Sequence, residues 1–236
     1  MMKFICHRFE CVDSTNRLAA SGNPGEVFVA PEQTAGRGRL DHKWHSRPGE
    51  NLLMSVVFDV TGIHPSEVAT IPLLAGLAVV KTVKRLSCSQ SLHPICLLKW
   101  PNDVYIGSRK VCGILCERHG DRIVVGIGVN VRQHEFPEEL KDKAASLSSA
   151  GIDVTVDEVL DCLLSSLGEV YEEWRRGGFT ALYSEFPGVD FLKGREVTVM
   201  RTDDDAEPVR GICRGILDDG ALLVGSERIY AGEVRW

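Results

Sequence analysis

The sequence has no membrane-length apolar run, no surplus of positive charge, no C-x-x-C pair, no internal repeat and no low-complexity segment. Each absence removes a class. A transmembrane helix needs roughly 20 consecutive apolar residues, which no uninterrupted run supplies. The opening Met1-Met2-Lys3-Phe4-Ile5-Cys6-His7 meets charge too soon for the apolar region of a secretory signal. The expected location is therefore cytoplasmic, with no membrane partner. With 27 Lys and Arg against 33 Asp and Glu, the net charge is -6. A general nucleic-acid binder needs a cationic surplus to neutralise phosphates, so DNA is not an expected partner.

Two nucleotide signatures are also missing. There is no Walker A loop, so any use of ATP is not of the P-loop kind. Gly126-Ile127-Gly128-Val129-Asn130-Val131 lacks the G-x-G-x-x-G spacing and no convincing helix follows it directly, which makes a Rossmann site a poor reading. The 8 cysteines include the close pairs Cys6/Cys11 and Cys112/Cys116, neither at zinc-site spacing. They read as small thiols of a reducing compartment, with Cys112 and Cys116 on one face of a strand.

What remains is an ordinary globular composition, 44% hydrophobic and 25% charged over 236 residues. That length suggests one large domain with a small appendage. Apolar and period-two runs predict strands over 3–9, 27–31, 52–58, 95–100, 110–117 and 123–130. Asp13-Ser14-Thr15-Asn16 reads as a helix N-cap, and helical spacing of Val68, Ile71, Leu74, Leu77, Val80 and Val83 predicts a helix over 66–86. Thr155-Val156-Asp157-Glu158 is a capping box opening a helix that Gly177-Gly178 is expected to stop. Past Pro187-Gly188 short strands are expected over 196–201, 211–217 and 221–224, with a tight turn at Asp218-Asp219-Gly220. The expected division is 1–187 and 188–236, the second part too small to be stable without docking on the first.

Four stretches carry chemistry. Gln33-Thr34-Ala35-Gly36-Arg37-Gly38-Arg39, followed by Trp44, interleaves glycines with guanidiniums. The glycines let backbone approach a ligand, and the arginines suit carboxylate or phosphate oxygens. A solvated basic loop beside a core tryptophan is the plainer reading. Lys99-Trp100-Pro101-Asn102-Asp103 ends a buried strand, where scaffolds present reactive groups, although a simple hairpin turn also accounts for it. Lys110 opens a strand in which Gly113 leaves room for close approach; an exposed strand-end lysine is the alternative. Gly126 and Gly128 similarly make room for a ligand lying across a sheet.

In this order and spacing, over about residues 10–131, these elements resemble the biotin protein ligases. The resemblance implies an α+β fold: a mixed, mostly antiparallel sheet packed with helices, of the class II synthetase-like kind, plus a C-terminal SH3-like β-barrel. It implies activation of biotin by ATP with Mg2+, and transfer to a lysine of a biotin carboxyl carrier domain of a biotin-dependent carboxylase. It places Ser14, Thr15, Asn16, Gln33, Gly36, Arg37, Gly38, Lys110 and Gly113 around biotin. Arg37, Arg39, Trp44, Asn102, Lys110 and Asn130 go to the nucleotide. Lys110, Arg37 and Arg39 become catalytic, Lys99 and Asp103 stand near the reacting centre, and the metal ligands stay unassigned.

Two departures qualify this. Leu40-Asp41 stands where the family often has Arg-Gly, making the loop less basic, and the residues before Asp13 are too few for a winged helix-turn-helix, so a monofunctional type without repressor function is expected. A lipoate- or octanoate-attaching enzyme and a non-enzymatic interaction module are the rival readings. The polar Ser14-Thr15-Asn16 and Gln33 set favours a ureido ring over an aliphatic chain. A homodimer paired through an edge strand is one conceivable assembly.

Overall fold

The structure, a computed structural model, describes residues 2–39, 42–201 and 207–236; Leu40 and Asp41 lie outside them. The first part of the chain builds β1 (Ile5–Arg8), α1 (Thr15–Ala19), β2 (Glu26–Val29), β3 (Asn51–Asp59), α2 (Pro65–Val68) and α3 (Ile71–Cys88). β4 (Cys96–Lys99), β5 (Asp103–Ile106), β6 (Arg109–His119) and β7 (Arg122–Asn130) complete a seven-stranded sheet of order β1-β2-β3-β7-β6-β5-β4. Only β1 and β2 run parallel; every other neighbouring pair is antiparallel. The mixed, mostly antiparallel sheet expected from sequence is present. β5 was not foreseen: four residues of Asp-Val-Tyr-Ile carry too little pattern to separate them from the turn before them.

Central β3 is buried on both faces and accordingly reads as an apolar run rather than an alternation. One face packs against α3 and α4 (Val156–Leu182) through Leu74, Leu77, Val80, Leu163, Leu167 and Val170. The expected single helix over 66–86 is two helices. Pro72, with no N–H and a fixed φ, suits the first turn of a new helix and α3 starts there, after Thr70 Oγ1 has donated to the Glu67 carbonyl (2.7 Å). By length and composition alone the helical span Pro65–Cys88 could cross a membrane, although charges interrupt it; 72% of its qualifying 18-residue window is buried within the protein, so it is core.

At Thr155 the capping box forms as its pattern predicts, with Glu158 N donating to Thr155 Oγ1 (3.2 Å) and Thr155 N to Glu158 Oε2 (2.7 Å). The expected stop at Gly177-Gly178 is a break, not an end. Gly178 sits at φ 68°, and the chain resumes helix to Leu182. The Glu67 carboxylate accepts from Phe179 N (2.8 Å) and Trp174 Nε1 (3.2 Å), which caps the restarted turn, and burial of Phe179 and Leu182 holds it.

A helical turn over Tyr183–Gly188 leads into residues 189–192, which run beside the outer strand β4. Leu98 N donates to Val189 O (2.7 Å) and Phe191 N to Leu98 O (2.9 Å), so that sheet edge is covered. β8 (Glu196–Met200), β9 (Val209–Ile216), β10 (Leu222–Val224), β11 (Glu227–Ile229) and β12 (Glu233–Arg235) form an antiparallel sheet of order β11-β10-β9-β8-β12, compatible with an SH3-like barrel. β11 and β12, three residues each, escaped the sequence reading. This small sheet docks as its size demands. Trp100, buried, donates from Nε1 to the Gly220 carbonyl (3.1 Å), and Asp190 accepts from Leu192 N (2.9 Å) and Ile216 N (3.0 Å). Desolvation at that junction raises the Asp190 pKa, against the pull of its backbone donors.

Candidate active site

On the sheet face away from α3 and α4, strand register writes a transverse row: Leu53, Gly128, Gly113, Asp103 and Lys99 lie directly opposite one another across β3, β7, β6, β5 and β4. A second row is Ser55, Gly126 and Leu115. Because directly opposed residues share a face, the glycines open a trough between a polar end at Ser55 and a charged end at Asp103 and Lys99. Lys110, three positions before Gly113, would point to the other face of a regular strand. It does not, because Tyr105 pairs with Lys110 and Val104 with Cys112, leaving Val111 as the extra residue of a bulge. The bulge turns Lys110 into the trough, where Nζ meets Asp103 Oδ1 at 2.6 Å. Residues 143–145 pair with it, Lys110 N donating to Lys143 O (2.7 Å) and Ala145 N to Lys110 O (2.9 Å).

The polar end is a buried network. Ser55 Oγ lies 2.7 Å from Thr15 Oγ1 and 2.6 Å from Asn16 Oδ1. Thr15 N and Oγ1 both donate to Gln33 Oε1 (2.7 and 3.2 Å), which leaves the Gln33 amide hydrogens for a ligand. Asn16 is otherwise committed: Nδ2 donates to Leu115 O (3.2 Å) and Glu117 Oε2 (2.6 Å), and its Oδ1 occupies the place a Cβ at Gly126 would need, 2.0 Å away. Asn16 therefore supports the wall and has its amide satisfied internally. The expected N-cap at Ser14 has the extended backbone of a cap but no side-chain cap hydrogen bond, and the residue lines the cavity.

The glycine–arginine loop folds back on itself, Gly38 N to His42 O (2.6 Å) and Trp44 N to Gly36 O (3.1 Å), and lies over the trough. Arg37 donates from Nη2 to both Glu117 oxygens (3.0 and 2.9 Å). Arg39 donates to Asn102 Oδ1 (3.2 Å) and to the Gly232 carbonyl (3.3 Å), which ties the loop to the small sheet. The Trp44 ring rests in the space left by Gly113 and Gly128; Cβ atoms there would approach it to 2.9 and 2.6 Å. Its Nε1 is buried without a hydrogen-bond partner, as is Asn130 Oδ1, whose Nδ2 donates to Ala145 O (3.0 Å).

Ser14, Thr15, Asn16, Gln33, Arg37, Gly38, Arg39, Trp44, Lys99, Asn102, Asp103, Lys110, Gly113 and Asn130 all line one cavity of about 640 Å³. Gly36 does not; it packs against the Trp44 carbonyl, 3.0 Å from where its Cβ would be. Lys99-Trp100-Pro101-Asn102-Asp103 is both things its sequence allowed, a β4–β5 hairpin and a cavity wall. The sequence reading missed Ser55, Glu117, Tyr105 and the stretch 233–236. A lone serine inside the apolar run Leu52–Phe58 was a usable signal for Ser55, and the period-two series Gly113, Leu115, Glu117 for the glutamate. Nothing local marks 233–236. Among the described residues no cluster of three metal-ligating side chains occurs, and the cysteines are free. Burial pushes the Cys96 thiol up to about 12 and those of Cys112 and Cys116 higher still, which makes them inert.

Residues 8–133 match the profile of the biotin/lipoate A/B protein ligase family. The chain is 33% identical to the biotin--[acetyl-CoA-carboxylase] ligase of Mycobacterium tuberculosis, over 92% of this chain and 81% of that protein. It is 31% identical to the enzyme of the same name from Paracoccus denitrificans, over 94% and 96%. Its structure superposes on the biotin protein ligase of Aquifex aeolicus in complex with biotin and ATP at a TM-score of 0.84, with 31% identity, covering 98% of this chain and 97% of that one. With the glycine trough, the arginine loop and the Lys110 bulge meeting in one cavity, the chain belongs to the biotin/lipoate A/B protein ligase family, among its biotin protein ligases.

Proposed function

We propose that this protein joins biotin to ATP as biotinyl-5'-AMP, releasing pyrophosphate, and transfers the biotinyl group to a lysine of a biotin carboxyl carrier domain. The observation that carries this is the convergence of Arg39, Lys99 and Lys110 on a glycine-floored cavity whose far end is a hydroxyl and amide network. Its volume of about 640 Å³ is in the range of small-molecule sites.

The polar end, with Ser14, Thr15 and the free Gln33 amide, suits the donors and acceptors of a ureido ring. The glycine row Gly113 and Gly128 takes the aliphatic tail once Trp44 moves aside. Lys110 then meets the carboxylate, and Arg37, Arg39 and Asn102 hold the nucleotide phosphates. The buried, unpaired Oδ1 of Asn130 supports a role as acceptor for the amino group of the base. Two anions must approach for the carboxylate oxygen to bond to the α-phosphorus as the bond to pyrophosphate breaks. The fixed cations offset that repulsion and stabilise the charge that develops. In the second step the carrier lysine's amine attacks the mixed-anhydride carbonyl and AMP leaves. The loop's role is to exclude water from that anhydride.

Asp103 and Glu233, the carboxylates on the cavity wall, fit a hard divalent cation that takes one or two carboxylates plus phosphate oxygens. A bound magnesium ion would supply charge neutralisation at the phosphates. Incubating the protein with ATP, isotope-labelled biotin and a carrier domain, with labelled lipoate as control, tests the proposal: label from biotin alone should appear on the carrier lysine, and label from lipoate alone would reassign the substrate.

A further inference from the structure

Lys99 is a buried lysine with an unusual set of neighbours. It is only 7% exposed, yet its ammonium has no hydrogen bond or ion pair among the described residues. Its ammonium lies over the ring of Trp236, whose centroid is 4.5 Å from Nζ, with the carboxylates of Asp103 and Glu233 close enough to act on its charge. That ring stands edge-on to Tyr105 (5.5 Å, 84°) and to Phe191 (5.3 Å, 84°), so it is fixed by one residue of the large sheet and one of the segment joining the two sheets. Lys99, Tyr105 and Trp236 all line the cavity.

A buried ammonium is costly unless something offsets its charge. The π face of a tryptophan offsets part of it without consuming any of its three N–H donors. Asp103, opposite Lys99 in the sheet, is already paired with Lys110. The donors of Lys99 are therefore left for an anion entering the cavity. Resting on the proposed ligase reading, we propose that Trp236 is a positioning residue: its ring holds the Lys99 ammonium toward the cavity, where Lys99 binds the terminal phosphates of the nucleotide and the pyrophosphate they become. The small sheet thereby completes an anion subsite that the large sheet cannot hold alone.

The proposal separates the two half-reactions, because only the first involves pyrophosphate. Trp236→Leu keeps an apolar side chain of moderate size and removes the π face; Trp236→Phe keeps a π face. In biotin-dependent exchange of labelled pyrophosphate into ATP, Trp236→Leu should raise the KM for pyrophosphate by about fivefold to tenfold, and Trp236→Phe should restore most of it. Transfer from supplied biotinyl-5'-AMP to a carrier domain should slow by less than about twofold in both. A Leu variant that exchanges like the wild type, a Phe variant no better than Leu, or equal loss in both half-reactions would each overturn the proposal, the last pointing to packing alone. Absence of exchange in the wild-type protein would instead overturn the ligase reading itself.

Discussion

Lys110 Nζ stands 2.6 Å from Asp103 Oδ1 because a single bulged residue, Val111, turns the lysine onto the same sheet face as the aspartate. The pair fixes an ammonium at the charged end of the trough and leaves its remaining donors for a ligand anion. Lys110→Ala should lower biotinyl-5'-AMP formation at least tenfold, about 1.4 kcal/mol of barrier stabilisation. Single-turnover quench measurements read this directly, with circular dichroism to confirm an intact fold. Arg39→Ala should have an effect of the same order. Wild-type rates in either variant would remove that residue from the chemistry.

Ser55 has one hydroxyl hydrogen and two acceptors within 2.7 Å, so it organises both Thr15 and Asn16. In Ser55→Ala the buried Asn16 Oδ1 loses its donor, which should cost about 1–3 kcal/mol of stability by urea titration. Biotin binding should weaken by about fivefold in calorimetry, an effect near 1 kcal/mol, while ATP binding stays within twofold. Equal weakening of both ligands would show that Ser55 serves the fold and not the biotin end.

Trp44 fills the space above Gly113 and Gly128, with its Nε1 unpaired. A tail lying on those glycines must displace it. Saturating biotin should change the intrinsic fluorescence of the wild-type protein, and Trp44→Phe should abolish most of that change. The loop around Gly36 to Trp44 should also gain protection from protease. An identical fluorescence response in Trp44→Phe would mean that the ring stays in place when biotin binds.

Lys99 carries its charge at a cost to folding. Burial holds its pKa below the ordinary lysine value, with Lys110 and Arg39 adding to that shift and Asp103 and Glu233 opposing it. The folded chain thus binds this proton less tightly than the unfolded one. The penalty is complete below the folded pKa, shrinks as pH rises between the two values, and is gone above the unfolded one. Lys99→Met should accordingly raise the melting temperature by about 2–4 °C, the shift that roughly 1 kcal/mol makes in a chain of this size, while slowing adenylation. A lower melting temperature would mean that the ammonium is better stabilised in the fold than its surroundings suggest.

The sheet was readable in the sequence wherever a strand was long and apolar, as in β3 and β7, because burial on both faces leaves an unbroken run. Among the strands of three or four residues, β1, β2, β4 and β10 were marked by apolar runs, whereas β5, β11 and β12 carry too little pattern to stand out from their turns. The end of α4 was misplaced because Gly177-Gly178 signals a stop locally, whereas Glu67, over a hundred residues away, caps a further turn. At the site, the glycine and arginine residues carried a signal through their order and spacing with the other elements, since the loop alone also reads as a solvated basic loop. The bulge at Val111, the Glu117 anchor of Arg37 and the contact of Trp236 with Lys99 arise from register and docking, which no local pattern encodes.

Biotin-dependent exchange of pyrophosphate into ATP by the purified protein tests the proposed adenylation of biotin most directly. Labelled pyrophosphate should enter ATP when biotin is present, and not when biotin is omitted or replaced by lipoate. Exchange with lipoate alone, or none with either acid at saturating magnesium and ATP, would contradict it.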